Sequence, residues 1–310
     1  MPELFAPFAD KPSPGPSGCV FMTGGPRAYL PGLACVLHRM EAVGSKHTVV
    51  LAAPAEDAEL YRPIVSRHAR AQLMVMQHFP HSYGGKWGKT NVLDKLNVLG
   101  APFGRVVWLD ADIFVRRNVD ELCALPDNVS FAAAPNVGFR PRTCFSPNGG
   151  RGPEFKCETC AAERELRRGE ASTASTKPPC RYELNSAVMA VRPLSLPDFN
   201  RDVVRAVSAG ALRSRDGGDQ GTLNAMAYTT SMFGGAPRVL PSAYNALARV
   251  ASLRPKQWEG WNPALIHLSR ETKPWVLKQF ANGTSRYRMA KPGPLQEEWQ
   301  AACGALLRST

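Results

Sequence analysis

Residues 105–122 read RVVWLDADIFVRRNVDEL, and the order of apolar and acidic residues in this stretch decides the fold. Val106 to Leu109 is an uninterrupted apolar run of the kind that forms a fully buried strand of a parallel sheet. It ends at two acids, Asp110 and Asp112, with Ala111 between them. Residues two apart on an extended backbone point the same way, so both carboxylates face one spot. That spot is the carboxyl end of a buried strand, where open α/β sheets bind their ligands. Two carboxylates converging there repel each other unless a positive charge lies between them, and a hard divalent cation is the natural candidate. On its own an Asp-x-Asp more often marks a strand end capped by solvated acids, so the reading depends on the rest of the chain.

A second apolar run, Ala264–Leu268, contains His267, and Lys273-Pro274-Trp275 follows six residues after it. A neutral imidazole would complete a site of two carboxylates and one nitrogen, with positions left open for substrate oxygens. A lone strand histidine is otherwise a core residue. Between these places lies Asp216-Gly217-Gly218-Asp219-Gln220-Gly221, followed by the helix-forming TLNAM. Its glycines allow close backbone approach, Asp219 stands at the helix start, and Gln220 offers both a donor and an acceptor. Taken alone that stretch is an N-cap.

Together these pieces resemble glycosyltransferase family 8, the group that contains glycogenin and galactinol synthase. The matching elements stand in the family's order. A strand ends in Thr23 and Tyr29 opens a helix. A helix with Lys95-Leu96 precedes the Asp110-Ala111-Asp112 strand. Then come Asn185-Ser186 in YELNSAVM, DGGDQGTLN at 216–224, Tyr244-Asn245, and His267 with Lys273-Pro274-Trp275. The match runs from about residue 19 to 275, apart from an insertion near 138–181.

The resemblance implies an α/β GT-A fold, a Rossmann-like, mostly parallel sheet with helices on both faces. It implies transfer of a sugar from UDP to an acceptor hydroxyl with retention, giving an α-linkage. It assigns the metal, Mn2+ or Mg2+, to Asp110, Asp112 and His267. Lys95 and Lys273 map near the phosphates, and Asp219, Gln220 and Lys273 carry the chemistry. Thr23 and Tyr29 map to the nucleotide end, Asn185, Ser186 and Asp216 to the donor sugar, and Asn245 to the acceptor. Tyr29 is equally read as a buried helix-start tyrosine. Residues 249–266 contain no tyrosine, so self-glucosylation in the manner of glycogenin is not expected; Trp258 and Trp261 stand there and could stack on a sugar. The acceptor class stays open among carbohydrate, polyol and glycoprotein. A non-catalytic relative that binds a nucleotide sugar or glycan is the alternative.

At 310 residues and 44% hydrophobic, the chain is long enough for one large α/β domain. The reading is a flexible tail over 1–18, a single GT-A domain over 19–280 and a C-terminal extension over 281–310. Strands are expected at 18–23, 47–52, 72–77, 105–109, 129–134, 186–192 and 264–268. Leu30, Leu33, Ala34, Leu37 and Met40 recur at helical spacing, and 198–207 and 220–227 are further helices. The net charge of +12 would favour capture of an anionic nucleotide. It is scattered, without the basic stripe or module that nucleic-acid binding requires. A homodimer is an open expectation.

Of eight cysteines, Cys19, Cys35 and Cys123 read as small core residues and Cys303 lies in the C-terminal segment. Cys144, Cys157, Cys160 and Cys180 all fall in the insertion, where a structural Zn2+, disulfides or free thiols are the competing readings. No apolar run is long enough to cross a bilayer. The expected location is the cytoplasm, or the Golgi lumen if an N-terminal anchor is missing from this chain. Two sequons, at Asn128 and Asn282, favour the lumen.

Overall fold

The computed structural model describes residues 4–8, 18–82, 91–136, 183–212, 218–253, 255–269, 273–279, 285–289 and 293–308. Asp216 and the insertion with Cys144, Cys157, Cys160 and Cys180 lie outside the described residues, as does Asn282.

Seven strands form the central sheet. They are β1 (Cys19–Gly24), β2 (Val49–Pro54), β3 (Ala71–Met76), β4 (Arg105–Asp110), β6 (Phe131–Pro135), β7 (Leu184–Val191) and β8 (Arg238–Val239), in the order β3-β2-β1-β4-β7-β6-β8. β1 runs parallel to β2 and β4, whereas β7 runs antiparallel to both β4 and β6. Each of the first six strands alternates its side chains between two apolar layers, so no face is polar. In β1, Val20 and Met22 enter the layer with Trp108, Met189 and Phe199. Phe21 enters the opposite layer with Leu33, Leu37, Leu51 and Leu109. Burial on both faces is the reason these strands read as continuous apolar runs rather than alternating ones.

The helix Leu30–Ala42 covers the second layer through Leu30, Leu33, Ala34, Leu37 and Met40, the stripe expected from its spacing. The expected helix around Lys95 is instead a 3-10 run, Val92–Gly100. Three residues per turn place Leu93, Leu96 and Leu99 on one buried stripe and leave Lys95 at its side. A smaller sheet, β5 (Ile113–Val115), β10 (Leu265–His267) and β9 (Ala246–Leu247), stands beyond the end of β4. β11 (Trp275–Gln279) and β12 (Ser285–Met289) form a separate antiparallel pair. β5, β8, β9, β11 and β12, of two to five residues each, were not expected from the sequence.

Two expectations are corrected. Residues 4–8 of the presumed tail pack on the domain: Phe8 bridges to Met76 at the edge of β3, and the Phe5 N–H donates to Asn200 Oδ1 at 2.9 Å. Cys19 and Cys35 are buried, as small core residues would be, but with Cys123 and Cys303 they form two disulfides, Cys19–Cys123 and Cys35–Cys303. The second fastens the helix Pro294–Cys303 to the helix Leu30–Ala42, with Trp299 buried against Trp275 at 5.3 Å between ring centroids. Apolar spacing shows which face a cysteine occupies and says nothing of which element will cover it. Alkylation of the unfolded, unreduced protein should leave these four cysteines unlabelled, and peptide mapping should recover both cross-links; labelling of any of the four overturns the pairing.

A charged clasp fixes the 3-10 run. The His78 imidazole lies 2.6 Å from Asp94 Oδ2 through Nδ1 and 2.7 Å from Glu56 Oε1 through Nε2, while Asp94 Oδ1 accepts the Phe79 N–H at 2.7 Å. Burial disfavours the imidazolium, but the hydrogen bonds and charges of Asp94 and Glu56 outweigh it and raise the His78 pKa. A raised histidine pKa stabilises the fold fully below the unfolded value, about 6.5, and that contribution disappears as pH rises through the folded value. The thermal midpoint should therefore fall more between about pH 6 and about pH 8 in the native chain than in His78→Gln. Equal falls would show that the clasp carries no linkage.

Candidate active site

The register of the central sheet assembles the site at one edge. Thr23 pairs with Leu109 and Gly24 with Asp110, so β1 and β4 end together. β7 runs the other way, with Val188 opposite Leu109, so its amino-terminal residues Asn185 and Ser186 arrive at this same edge. The smaller sheet supplies the histidine. Antiparallel pairing sets His267 opposite Ile113, and the Leu268 N–H donates to the Asp112 carbonyl at 2.8 Å. Ala111 is seated beneath the helix Leu30–Ala42 at Gly32, where a Cβ would stand 2.0 Å from the Ala111 carbonyl oxygen. Only glycine permits that approach.

Ligand atoms of Asp110, Asp112 and His267 lie within 4.8 Å of one another. His267 Nε2 is 3.5 Å from Asp112 Oδ1, too long for a good hydrogen bond and suited to two ligands of one ion. Adjacent ligands at about 2.1 Å from an octahedral cation stand roughly 3 Å apart. Two oxygen donors and one imidazole suit Mn2+ better than Ca2+, which prefers oxygens alone. These residues fit a divalent cation.

Two ammonium groups flank the cluster. Lys95 Nζ lies 2.7 Å from Asp110 Oδ1 and 2.8 Å from Asp219 Oδ2, and donates to Ser186 Oγ at 3.3 Å. Burial works against its charge, but Asp110 and Asp219 outweigh burial and raise the Lys95 pKa. Asp219 shows the reciprocal balance. Burial pushes it up, yet Lys95 and the 2.8 Å hydrogen bond from Ser186 Oγ bring its pKa below the usual carboxylate value. Burial, with Asp112 and Asp219 nearby, keeps the Asp110 pKa raised despite Lys95. Lys273 Nζ lies 3.2 Å from Asp112 Oδ2 and donates to Tyr29 Oη at 2.8 Å, 4.4 Å from the centre of the Tyr29 ring. Here too burial is outweighed, by Asp112 and Tyr29, and the Lys273 pKa is raised. Tyr29 is half-buried at the start of its helix and serves as the seat of Lys273.

No protein-family model and no curated protein matches this sequence. Solved structures do match. Galactosyltransferase LgtC, in complex with donor and acceptor sugar analogs, gives a TM-score of 0.51 at 14% identity over 92% of this chain and 95% of its own. The apo form of the glycosyltransferase GlyE of Streptococcus pneumoniae TIGR4 gives 0.53 at 16% identity over 94% of this chain, which spans 62% of GlyE. Mouse xyloside xylosyltransferase 1, also apo, gives 0.50 at 12% identity over 82% of this chain and 98% of its own. The fold is GT-A.

Within this GT-A sheet the structure brings together Thr23, Tyr29, Lys95, Asp110, Ala111, Asp112, Asn185, Ser186, Asp219, Gln220, His267 and Lys273. The helix Asp219–Thr229 is docked by Asn224, whose side chain accepts the Leu184 N–H and donates to the Leu184 carbonyl, both at 2.8 Å. That two-point bond aims Asp219 and Gln220 at Ser186. Glu183 accepts from Gln220 Nε2 at 2.8 Å, and the Ser186 N–H approaches Gln220 Oε1 at 3.4 Å. An acceptor at one end and a donor at the other orient the amide. Glu183 and Asn224 were not singled out from the sequence, because neither spacing nor composition marks a residue that acts by holding another. Two further groups await partners. Thr23 Oγ1 and both polar side-chain atoms of Asn245 are buried without a hydrogen bond among the described residues. Buried unpaired groups cost about 1–3 kcal/mol each, which a ligand would recover.

Lys95→Met would leave the partly buried Asp110 and the buried Asp219 without their shared cation. Breaking such a pair costs roughly 3–5 kcal/mol, which urea unfolding would read. A loss under about 1 kcal/mol would mean that water replaces the ammonium.

Proposed function

We propose that this chain is a metal-dependent retaining glycosyltransferase of family 8, moving a sugar from a UDP-sugar to an acceptor hydroxyl with formation of an α-linkage. The observation that carries the reading is the meeting of Asp110, Asp112 and His267 at the ligand-binding edge of the sheet, with Lys95 and Lys273 on either side. LgtC, of the same fold, accommodates donor and acceptor sugar analogs. Ionised, the carboxylates of Asp110, Asp112 and Asp219 exceed the two ammonium groups by one negative charge. A divalent cation reverses that excess and makes the site complementary to a diphosphate.

Mn2+ or Mg2+ held by Asp110, Asp112 and His267 would act as a Lewis acid on the diphosphate. The remaining roles belong to the chain. Lys273, kept cationic by Asp112 and seated on Tyr29, stabilises negative charge on the departing UDP oxygen. Asp219 is held as a carboxylate, so it stabilises positive charge at the anomeric carbon and does not serve as a proton donor. Gln220, oriented by Glu183 and the Ser186 N–H, presents a fixed amide beside it. Asn185 belongs to the sugar side: its Oδ1 accepts the Ala187 N–H at 2.9 Å, and Asn136 lies 3.4 Å from its Nδ2. Thr23 Oγ1 and Asn245 offer unpaired groups to the nucleotide and the acceptor.

Two disulfides favour an oxidising compartment, and therefore the lumenal reading over the cytoplasmic one. Asn128, the described sequon asparagine, is exposed in the turn closed by the Val129 N–H and the Pro126 carbonyl at 2.9 Å. No helix among the described residues is long and apolar enough to cross a membrane.

The test is a thermal-shift titration with UDP and a panel of UDP-sugars, in Mn2+ and in EDTA. A ligand at about one hundred times its Kd adds about 2.7 kcal/mol, which for a chain of this size raises the midpoint by on the order of 5 °C. Mn2+ should be required for that shift, and Asp112→Ala should abolish both the Mn2+-dependent shift and sugar transfer. A shift without turnover on any acceptor would favour the non-catalytic binding relative. No shift with any nucleotide would overturn the nucleotide-sugar reading.

A further inference from the structure

Trp108 lies two residues before Asp110 on β4, so both side chains leave the strand on the same side. Its indole Nε1–H donates to Asp110 Oδ1 at 2.6 Å. The ring is almost entirely buried, with Met22 and Met189 as its register partners on the two neighbouring strands. A Cβ on Gly24 would come within 3.2 Å of its outer edge, so the ring has little room to turn. A buried indole N–H must find an acceptor, and here it finds one of the candidate metal ligands.

The same oxygen also faces Lys95 Nζ at 2.7 Å. The two donors differ in one respect that matters. An ammonium group competes with a metal cation for a carboxylate, because both are positive. Lys95 has alternative partners in Asp219 and Ser186, so it can retreat when a cation arrives. A neutral N–H does not compete, and the packed indole has nowhere else to point.

Resting on the metal reading above, we infer that Trp108 is a positioning residue for the metal: its indole N–H holds the Asp110 carboxylate in a ligating orientation once the cation has displaced Lys95 from it. A carboxylate turns easily about its last bond, so a ligand without such a restraint spends less time correctly aimed. Hydrogen-bond partners of metal ligands typically carry a 10–100-fold share of metal affinity.

Mn2+ binding to the full chain in the presence of UDP, read from the free-ion EPR signal, tests this. The native chain is compared with Trp108→Phe and with a chain carrying β-(3-benzothienyl)alanine at position 108, which keeps the ring shape and replaces N–H by sulfur. Both substitutions should weaken Mn2+ binding by about tenfold, and the circular dichroism of the benzothienyl chain should match the native one. Unchanged Mn2+ affinity in the benzothienyl chain overturns the role of Trp108 while leaving the metal site intact. Failure of the native chain to bind Mn2+ overturns the metal reading, and this inference with it.

Discussion

A single partly buried ammonium joins three distant parts of this chain. Lys95 comes from the 3-10 run after β3, Asp110 from the end of β4 and Asp219 from the first turn of a helix beyond β7. Two carboxylates so close in a water-poor setting repel strongly, and each would be driven toward its neutral form. One lysine between them resolves that conflict for Asp219, which stays ionised, and moderates it for Asp110, which does not fully escape burial. Side-chain bonds around it hold the three elements that meet here. The clasp of His78, Asp94 and Glu56 fixes the segment that bears the lysine, Asn224 fixes the helix that bears Asp219, and Trp108 fixes the Asp110 carboxylate.

The geometry depends equally on one reversed strand. In an all-parallel sheet every strand would deliver its carboxyl end to the ligand edge. β7 runs against its neighbours and delivers its amino end, placing Asn185 and Ser186 beside β4. Ser186 touches both Lys95 and Asp219, so it ties β7 to the 3-10 run and to the helix Asp219–Thr229. The smaller sheet makes the complementary contribution. It folds the chain after β4 back on itself, so that His267 reaches Asp112 although the two are far apart in sequence. Lys273 then follows within a few residues and meets Asp112 from the other side.

The outer shell of the molecule is tied down by covalent bonds. Cys35–Cys303 holds the C-terminal helix against the helix Leu30–Ala42, which itself presses on Ala111 at Gly32. Trp299 packs, tilted, against Trp275, two residues after Lys273. The disulfide is therefore mechanically close to both the Asp-Ala-Asp turn and the second lysine, and cross-links typically add about 2–4 kcal/mol, with roughly 5–6 as the chain-entropy ceiling for a loop this long.

Much of this was legible in the residues. The run Val106–Leu109 ending in two acids is a buried strand with a charged exit, and its unbroken apolar character reflects burial on both faces. All seven strands expected from such runs are present, and the helix stripe beginning at Leu30 faces the sheet as its period requires. The order of Thr23, Lys95, Asp110, Asn185, Asp219 and His267 along the chain was also readable, and the structure brings these residues to one edge of the sheet. What the sequence could not decide was contact. Which carboxylate Lys95 would bridge, that Tyr29 would seat Lys273, that Glu183 would orient Gln220 and that four cysteines would pair all depend on how elements far apart in the chain cross in space. Periodicity reports the face a residue occupies, since that is a property of its own backbone. The partner on that face is chosen by tertiary packing, and in this protein the partners are what turn a row of acids and lysines into a site.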